Sequence, residues 1–447
     1  MKITSLHIKK LHRHYDYDVE FNRDVTFLYG TNGCGKTTIL NITEAIVSGQ
    51  LYKMFDYDFE EIILNYISDN HLDRQYGISI RMVEKNMDIT FNQKQYFLNK
   101  EDYNRIVEMS DTDEEIYEEF SSRFRFLSDI YKTFNYVYLP LNRNVNGGFE
   151  EYKNRYSRAY LRQRINRIER NRILGGGNMA MDQVEMMIQY KYQQALAQVS
   201  RINDDFRNQI LTSLLETNVH DYSSEDIFSF FKNPMTVNDV RNTQEKYIKL
   251  LKSLDLIKEG DLKKYTDFFE GYCNELETID DNTSRISMNM IFKMQELQRI
   301  KTLLPIAERT EIRKANAMKP FKQFIDIMND FVTSVDSDKR FNISRTGSVY
   351  FTTVQSSEKI DISYLSSGEK QLLIFFSNLI FGVNKNSTGI FIVDEPELSL
   401  HLAWQKRFVD SALSINGNMQ LIFATHSPEI IGKYRNKMFH LEKKTNA

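Results

Sequence analysis

The sequence predicts an α/β fold in which a mixed sheet flanked by helices is interrupted by a large helical insertion forming a short arm. Three observations carry that prediction. Gly30-Thr31-Asn32-Gly33-Cys34-Gly35-Lys36-Thr37-Thr38 fits the spacing G-x-x-x-x-G-K-[ST] between a strand-like and a helix-like run, and such a loop wraps phosphates with its backbone N–H groups. Ile390-Phe391-Ile392-Val393 is a continuous apolar run that delivers Asp394 and Glu395 at its tip. Between these two stretches, from about 150 to 330, strand signals thin out and long polar helical patterns replace them. The boundaries that follow are an N-terminal half over 1–150, an insertion over 151–335 and a C-terminal half over 336–447.

In the N-terminal half, Ile3 to Ile8 and Tyr17 to Phe21 alternate apolar and polar residues and predict two paired strands. The Arg13-His14-Tyr15 turn between them reads either as an approach to a nucleotide base or ribose or as a solvated turn. Val25 to Tyr29 is β-branched and aromatic, a buried strand leading into the glycine loop. Thr38 to Ile46 carries apolar residues at 39, 42, 45 and 46, a helical period. The loop therefore sets a helix N-terminus against the phosphates, where free N–H groups and the helix dipole favour negative charge. Tyr76 to Met82 and Met87 to Phe91 predict a strand pair joined through Glu84-Lys85-Asn86. Phe134 to Leu139 predicts a strand stopped by Pro140, followed by the polar loop Leu141-Asn142-Arg143-Asn144.

The insertion opens on a basic stretch. Lys153, Arg155, Arg158, Arg162, Arg164, Arg167, Arg170 and Arg172 are interleaved with Tyr152, Tyr156 and Tyr160, and Gly175-Gly176-Gly177 breaks the run. Arg155, Arg158 and Arg162 share one helical face. That face suits phosphate contacts with DNA or an acidic protein mimicking it, and it equally suits a solvated or intersubunit helix whose arginines pair with Glu150, Glu151 and Glu169. Tyr247 to Ile257 and Ile286 to Ile306 carry leucines and isoleucines three and four apart, as in a helical hairpin or short coiled-coil arm.

The C-terminal half restores the strands with Phe341 to Ser344 and Val349 to Val354. The polar turn Leu365-Ser366-Ser367-Gly368-Glu369 runs into an apolar helix, and Gln420 to Ala424 is a strand ending at Thr425-His426. These parts answer the needs of phosphoryl transfer, where catalysis is positioning plus charge stabilisation. Lys36 can reach the β- and γ-phosphates, and the Thr37 hydroxyl and Asp394 can ligate Mg²⁺. Glu395 is placed to act as general base on the attacking water. His426 is a candidate for a hydrogen bond to the γ-phosphate or to that water; taken alone it also reads as a loop histidine.

Composition excludes several classes. The formal net charge is −3 over 447 residues, so any nucleic-acid surface must be local. Two cysteines, Cys34 and Cys273, exclude a disulfide framework and a cysteine-built zinc site. The start has no apolar signal core, and the longest apolar run, Leu372 to Val383, is too short to span a bilayer. The expected location is the cytoplasm, with no membrane partner.

The glycine loop, Leu365-Ser366-Ser367-Gly368-Glu369, Asp394-Glu395 and His426 resemble the Walker A, signature, Walker B and H-switch motifs of ABC-type ATPases. The branch they resemble is the SMC-like and OLD-like one, and Val393-Asp394-Glu395-Pro396-Glu397-Leu398-Ser399-Leu400-His401 is especially similar to the OLD-type group. The resemblance implies an ABC-type P-loop ATPase head that uses ATP and Mg²⁺. Gly30, Asn32, Gly33, Cys34, Gly35, Lys36, Thr37 and Thr38 would bind the nucleotide, while Ser366, Ser367, Gly368 and Glu369 would complete the site of a second, head-to-tail copy. Two features depart from the family pattern. The signature reads Ser-Ser-Gly-Glu, and Asn142 and Arg143 stand where a Q-loop glutamine is expected.

OLD-type nucleases continue into a Toprim domain after the histidine strand; the expectation here is of no such domain and no HNH-like cluster in this chain. The layout resembles the ATPase subunits of two-gene anti-phage systems, the PARIS type ahead of the Septu type. That likeness implies a homo-oligomer holding a separate effector nuclease, Toprim-like or HNH-like, until a phage protein or DNA signal arrives. It implies ATPase activity and no nuclease activity in the chain itself. The alternatives are a DNA-repair or chromosome-maintenance SMC-like ATPase acting on DNA, and a binding module that holds ATP as a structural switch.

Overall fold

Alternating burial builds the first strands. In the computed structural model, β1 (Lys2–Leu11) buries Ile3, Leu6 and Ile8, and a register shift between Ile3 and Ser5 accounts for the step from 3 to 6. It pairs antiparallel with β2 (Tyr15–Glu20). The structure describes residues 1–68, 71–110, 112–140, 179–216, 236–253, 262–277, 288–335, 338–382, 389–415, 417–442 and 444–445. Asn142, Arg143, the arginine-tyrosine stretch over 153–172 and Gly175 to Gly177 lie outside these residues.

After β3 (Val25–Tyr29) and α1 (Lys36–Val47) come β4 (Glu61–Ser68), β5 (His71–Val83), β6 (Asn86–Phe91) and β7 (Lys94–Asn99). With β15 (Lys444–Thr445) they form a seven-stranded antiparallel sheet in the order β15-β2-β1-β4-β5-β6-β7. The pair β5–β6 is the strand pair read from the sequence. β4 and β7 extend it on either side. Three short helices, α2 (Lys100–Met109), α3 (Asp113–Arg123) and α4 (Arg125–Thr133), then lead to β8 (Tyr136–Leu139).

A second sheet carries the glycine loop. β12 (Ile390–Asp394), β13 (Gln420–Ala424) and β14 (Met438–His440) join β3 and β8 in the order β14-β3-β13-β12-β8, with every pairing parallel. Parallel strands covered on both faces read as unbroken apolar runs, and every residue of β12 and β13 is buried. The period of two sorts their side chains. Ile390, Ile392, Ile422 and Ala424 join the core around α1, which also packs on Leu6, Ile62, Ile78 and Ile80 of the antiparallel sheet. Phe391 and Phe423 face the other way, towards α9 (Ser367–Ser377) and α10 (Leu402–Ile415). There Phe375 sits 5.3 Å from Phe391 and 4.2 Å from Phe408, ring centre to ring centre. Gln420, fully buried, staples the layers together: its amide accepts from Ile3 N at 2.8 Å and donates to Ile3 O at 2.7 Å and Asn22 O at 2.8 Å.

A small antiparallel sheet, β11-β10-β9, comprises β9 (Lys339–Ile343), β10 (Val349–Thr353) and β11 (Ile360–Asp361) and precedes α9. The chain divides into two compact units, Met1–Tyr192 with Pro320–Ala447, and Gln193–Lys319. The divisions fall within the long helices α5 (Met179–Glu216) and α8 (Met288–Thr333). In the second unit, the expected helical hairpin is a cluster of three helices. Between α6 (Val237–Ser253) and α8 stands α7 (Leu262–Glu277), and Val240, Phe269, Tyr272, Leu297 and Ile300 share one core. Lys293 of α8 pairs with Glu275 of α7 at 2.7 Å.

Phe375 meets aromatic side chains of three other elements, β12, β13 and α10. Phe375→Ala is expected to lower the unfolding free energy by about 3–5 kcal/mol, read from the shift of the denaturant midpoint at constant slope.

Candidate active site

Because β3, β13, β12 and β8 run parallel, their C-terminal ends lie on one edge, where open α/β sheets hold ligands. The glycine loop leaves β3 there. Gly35 caps α1 with φ 106°, a left-handed conformation that favours glycine. A Cβ at this position would also stand 2.8 Å from the Tyr17 hydroxyl, which donates to Cys34 O at 3.0 Å. Lys36 is buried, and its ammonium lies across the loop, donating to Gly30 O at 3.0 Å and Thr31 O at 3.3 Å. Asn32 and Gly33 are exposed at the loop's tip, Cys34 is buried beneath it, and Thr38 is half-buried in the first turn of α1.

The two ends of the sequence meet at one hydrogen bond. Thr37 Oγ1 donates to Asp394 Oδ2 at 2.8 Å. Asp394 is buried, and among the described residues its Oδ1 has no hydrogen-bond partner. Burial pushes this carboxyl above its ordinary range, against the Thr37 hydrogen bond, while the neighbouring Glu395 pushes it further up and the Lys36 charge draws it back. A hydroxyl beside a carboxylate with one oxygen unspent is a hard-oxygen donor pair, and it fits Mg²⁺, which takes few protein ligands and fills its shell with phosphate oxygens and water. Among the described residues no cluster of three His, Cys, Asp or Glu side chains could hold a metal.

Glu395 continues the strand by one hydrogen bond, from its N–H to Ala424 O at 2.8 Å, and then turns with φ 46°. Its carboxylate stands 3.9 Å from His426 Nε2, and both side chains are partly exposed. The structure thus gathers Lys36, Thr37, Asp394, Glu395 and His426 on one edge. Ser366 to Glu369 are not joined to them: among the described residues no hydrogen bond or ion pair links that turn to Gly30–Thr38. Ser366 and Ser367 are exposed at the N-terminus of α9. The Glu369 carboxylate is taken up inside the chain by the Ser366 cap and by Lys339, at 2.8 and 2.9 Å. Burial raises its affinity for a proton, yet Lys339 and Ser366 together hold the carboxyl below the ordinary value. Gly368 lies against the turn after β12, where a Cβ would come 2.4 Å from Ser399 O. Arg13, in the turn considered for base contact, forms an ion pair with Asp58.

Several residues at this edge carry no assignment from sequence reasoning. Glu397 bonds both Thr425 and His426. Gln371 of α9 donates to Pro396 O at 2.7 Å. Tyr138 donates to Asn41 at 2.6 Å, beside the buried Glu44, whose Oε1 has no partner among the described residues.

The sequence pattern of the AAA ATPase domain family matches residues 1–431, a span that includes the glycine loop, the α9 turn, Asp394-Glu395 and His426. The chain belongs to the AAA ATPase domain family. Membership implies nucleotide binding. The Retron Vc95 probable ATPase of Vibrio cholerae serotype O1 biovar El Tor is 28% identical over 188 residues, 37% of this chain and 36% of that protein. The Retron Ec83 probable ATPase of Escherichia coli is 32% identical over 80 residues, 16% of this chain and 15% of that protein. The matched stretches thus span about a third or less of these curated relatives. Among solved structures, the chain is similar to the Smc head domain with an extended coiled coil, bound to the C-terminal domain of ScpA, from Pyrococcus furiosus. The identity there is 12% and the TM-score 0.39, covering 99% of this chain and 95% of that one. Among the described residues no helix is long and apolar enough to cross a membrane.

Two outcomes follow from this geometry. Gly368→Ala forces a Cβ against a backbone carbonyl and is expected to cost about 1–3 kcal/mol of stability, measured by denaturant unfolding. Burial holds the Glu44 proton more tightly in the folded chain than in the unfolded one, with the Lys53 charge opposing. Stability is therefore expected to fall as pH rises from the ordinary value of 4.5 through the raised one. Glu44→Gln removes that decline, which unfolding midpoints measured between about pH 4 and 8 would show.

Proposed function

We propose that the chain is an ATP-binding and ATP-hydrolysing sensor and scaffold subunit of a bacterial anti-phage defence complex. In this reading, copies of the chain sandwich ATP between the Gly30–Thr38 loop of one and the Ser366–Glu369 turn of the next, and they hold and release a separate effector nuclease. The observation that carries the ATPase part is the Thr37–Asp394 hydrogen bond beside the Glu395–His426 pair.

The chemistry follows from those residues. Lys36 exchanges its two carbonyl acceptors for the β- and γ-phosphate oxygens, which bind an ammonium more strongly than neutral carbonyls do. Thr37 and Asp394 would hold Mg²⁺, which when bound offsets the charge on the β- and γ-phosphate oxygens. Glu395 accepts a proton from water as the water oxygen attacks the γ-phosphorus. The bond from that phosphorus to the bridging oxygen breaks, ADP takes the electron pair, and inorganic phosphate forms. His426 hydrogen-bonds the γ-phosphate or the attacking water. Ser366, Ser367 and Gly368 supply contacts from the second copy, consistent with two exposed hydroxyls at a helix N-terminus.

The defence setting rests on the resemblance to PARIS-type and Septu-type ATPases and on the two retron ATPase relatives, retrons being defence systems. A Toprim-like nuclease is the partner of the PARIS-type reading and an HNH nuclease that of the Septu-type one. The complex acts in the cytoplasm, and the trigger is a phage protein or DNA met by the Arg155–Arg172 stretch.

Lys36→Ala is expected to abolish binding of a fluorescent ATP analogue. Glu395→Gln should keep that binding, lower turnover by about a hundredfold or more, and accumulate ATP-dependent oligomers in light scattering. ATP turnover that survives both changes would falsify the site assignment.

A further inference from the structure

Pro396-Glu397-Leu398-Ser399-Leu400-His401 sets the sequence apart, yet the chemistry above uses none of it. Glu397 sits three residues beyond β12, and its carboxylate points at the neighbouring strand tip. One oxygen accepts from Thr425 Oγ1 at 2.8 Å and the other from His426 N at 2.7 Å. Two donors on two oxygens of one carboxylate fix direction as well as distance, because both bonds must be satisfied in the plane of one group. Gln405 of α10 closes the next residue. Its amide oxygen accepts from Ser427 Oγ at 2.7 Å, and its NH₂ donates to Leu400 O at 3.0 Å. Ser427 N donates in turn to Thr425 Oγ1 at 3.0 Å. Each residue from Thr425 to Ser427 is therefore gripped by a side chain from the segment that follows β12.

We propose that Glu397 is a positioning residue for His426. Its carboxylate fixes the Thr425–His426 peptide, and so sets the imidazole beside Glu395, without itself touching the nucleotide. The turn that carries Glu397 is anchored in its own right, since Gln371 donates to Pro396 O and Gly368 packs on Ser399 O. The brace thus has a fixed base. His426 has no hydrogen bond of its own to a neighbour on its ring among the described residues; the ring's one ionic neighbour is Glu395 at 3.9 Å. Its placement depends on its backbone. This inference rests on the ATPase reading.

The test takes the full chain as wild type, Glu397→Ala, Glu397→Gln, His426→Ala and the Glu397→Ala/His426→Ala double variant. ATP turnover is resolved into kcat and KM, and amide exchange is followed by mass spectrometry on peptides covering 424–428. Glu397→Ala should lower kcat by about ten- to a hundredfold, as expected when a group is displaced by a fraction of an ångström to an ångström, with KM near wild type. Exchange at the His426 amide should accelerate about tenfold or more once its acceptor is removed. Glu397→Gln, which keeps one accepting oxygen, should restore part of both. In the double variant, turnover should match His426→Ala alone, because non-additivity marks residues that act as one unit.

Wild-type kcat in Glu397→Ala would overturn the proposal, and so would a double variant whose loss is the product of the single losses. If Glu397→Ala does not fold, Glu397→Gln carries the same comparisons. A wild-type chain that binds ATP and never turns it over defeats the ATPase reading instead. Exchange at His426 then decides the placement alone, and unaltered exchange in the Glu397 variants overturns it.

Discussion

β3 pairs with β13 and β13 with β12, in parallel and in step, so that Leu28 lies abreast of Ala424 and Ala424 abreast of Asp394. A shift of one residue in either ladder would turn every side chain of a strand to the other face. Ile392 and Ile422 would then leave α1 for the aromatic layer, and Phe391 and Phe423 would be driven into the space beside α1. Packing on both faces therefore fixes the register. The register, in turn, sets the distance between a threonine hydroxyl at residue 37 and a carboxylate at residue 394. Local turns such as the Gly35 cap refine the site, but the ladders place it.

The site is built around charge that the fold alone leaves incompletely balanced. Asp394 keeps one carboxylate oxygen unpartnered in a buried position, and burial favours its protonated form. Glu44 of α1 is in the same condition. Glu369 differs in kind. It is equally enclosed but meets Lys339 and the Ser366 cap, and it remains a carboxylate. The contrast separates a group whose oxygens fix a turn from groups that keep one oxygen without a hydrogen-bond partner among the described residues. Burying a carboxylate whose oxygens are not all partnered is costly, and at Asp394 the Thr37 hydrogen bond and the Lys36 charge offset part of that cost.

What was legible in the sequence follows from burial. β12 shows as an unbroken apolar run up to Asp394, β3 and β13 depart from one at Thr26 and Gln420, and α1 shows its period in Ile39, Ile42, Ala45 and Ile46, all buried. β4 was hidden because Ile63 breaks its alternation with an apolar residue on the less buried face. β7 was hidden because, at the sheet's edge, it is mostly polar and leaves Phe97 exposed. α7 packs through Phe269 and Tyr272 and has Gly271 within it, so it lacks the run of leucines and isoleucines from which the arm is read. Lys36 and Thr37 could be placed from the glycine-loop spacing at the start of α1, and Asp394, Glu395 and His426 from the ends of the apolar strands β12 and β13. Glu397 could not. It is one of three carboxylates in five residues, and only the position of β13 beside β12 shows which atoms it meets.

The neighbours of β3 have a consequence for synthesis. A ribosome releases this chain from Met1 onwards, and domains tend to form as their segments emerge. The strand preceding the glycine loop is flanked by β13 on one side and β14 on the other, and both follow the insertion in the sequence. The antiparallel sheet can assemble β1, β2 and β4 to β7 early, from contiguous sequence. The parallel sheet has to wait, with β3 and β8 unpaired with each other and separated in the finished order by β13 and β12. A nascent chain is thus unable to close its phosphate loop onto Asp394 while most of its length already exists. Closure of the loop onto Asp394 therefore waits for β12 and β13, and a chain interrupted before them lacks the strands that neighbour β3 in the finished order.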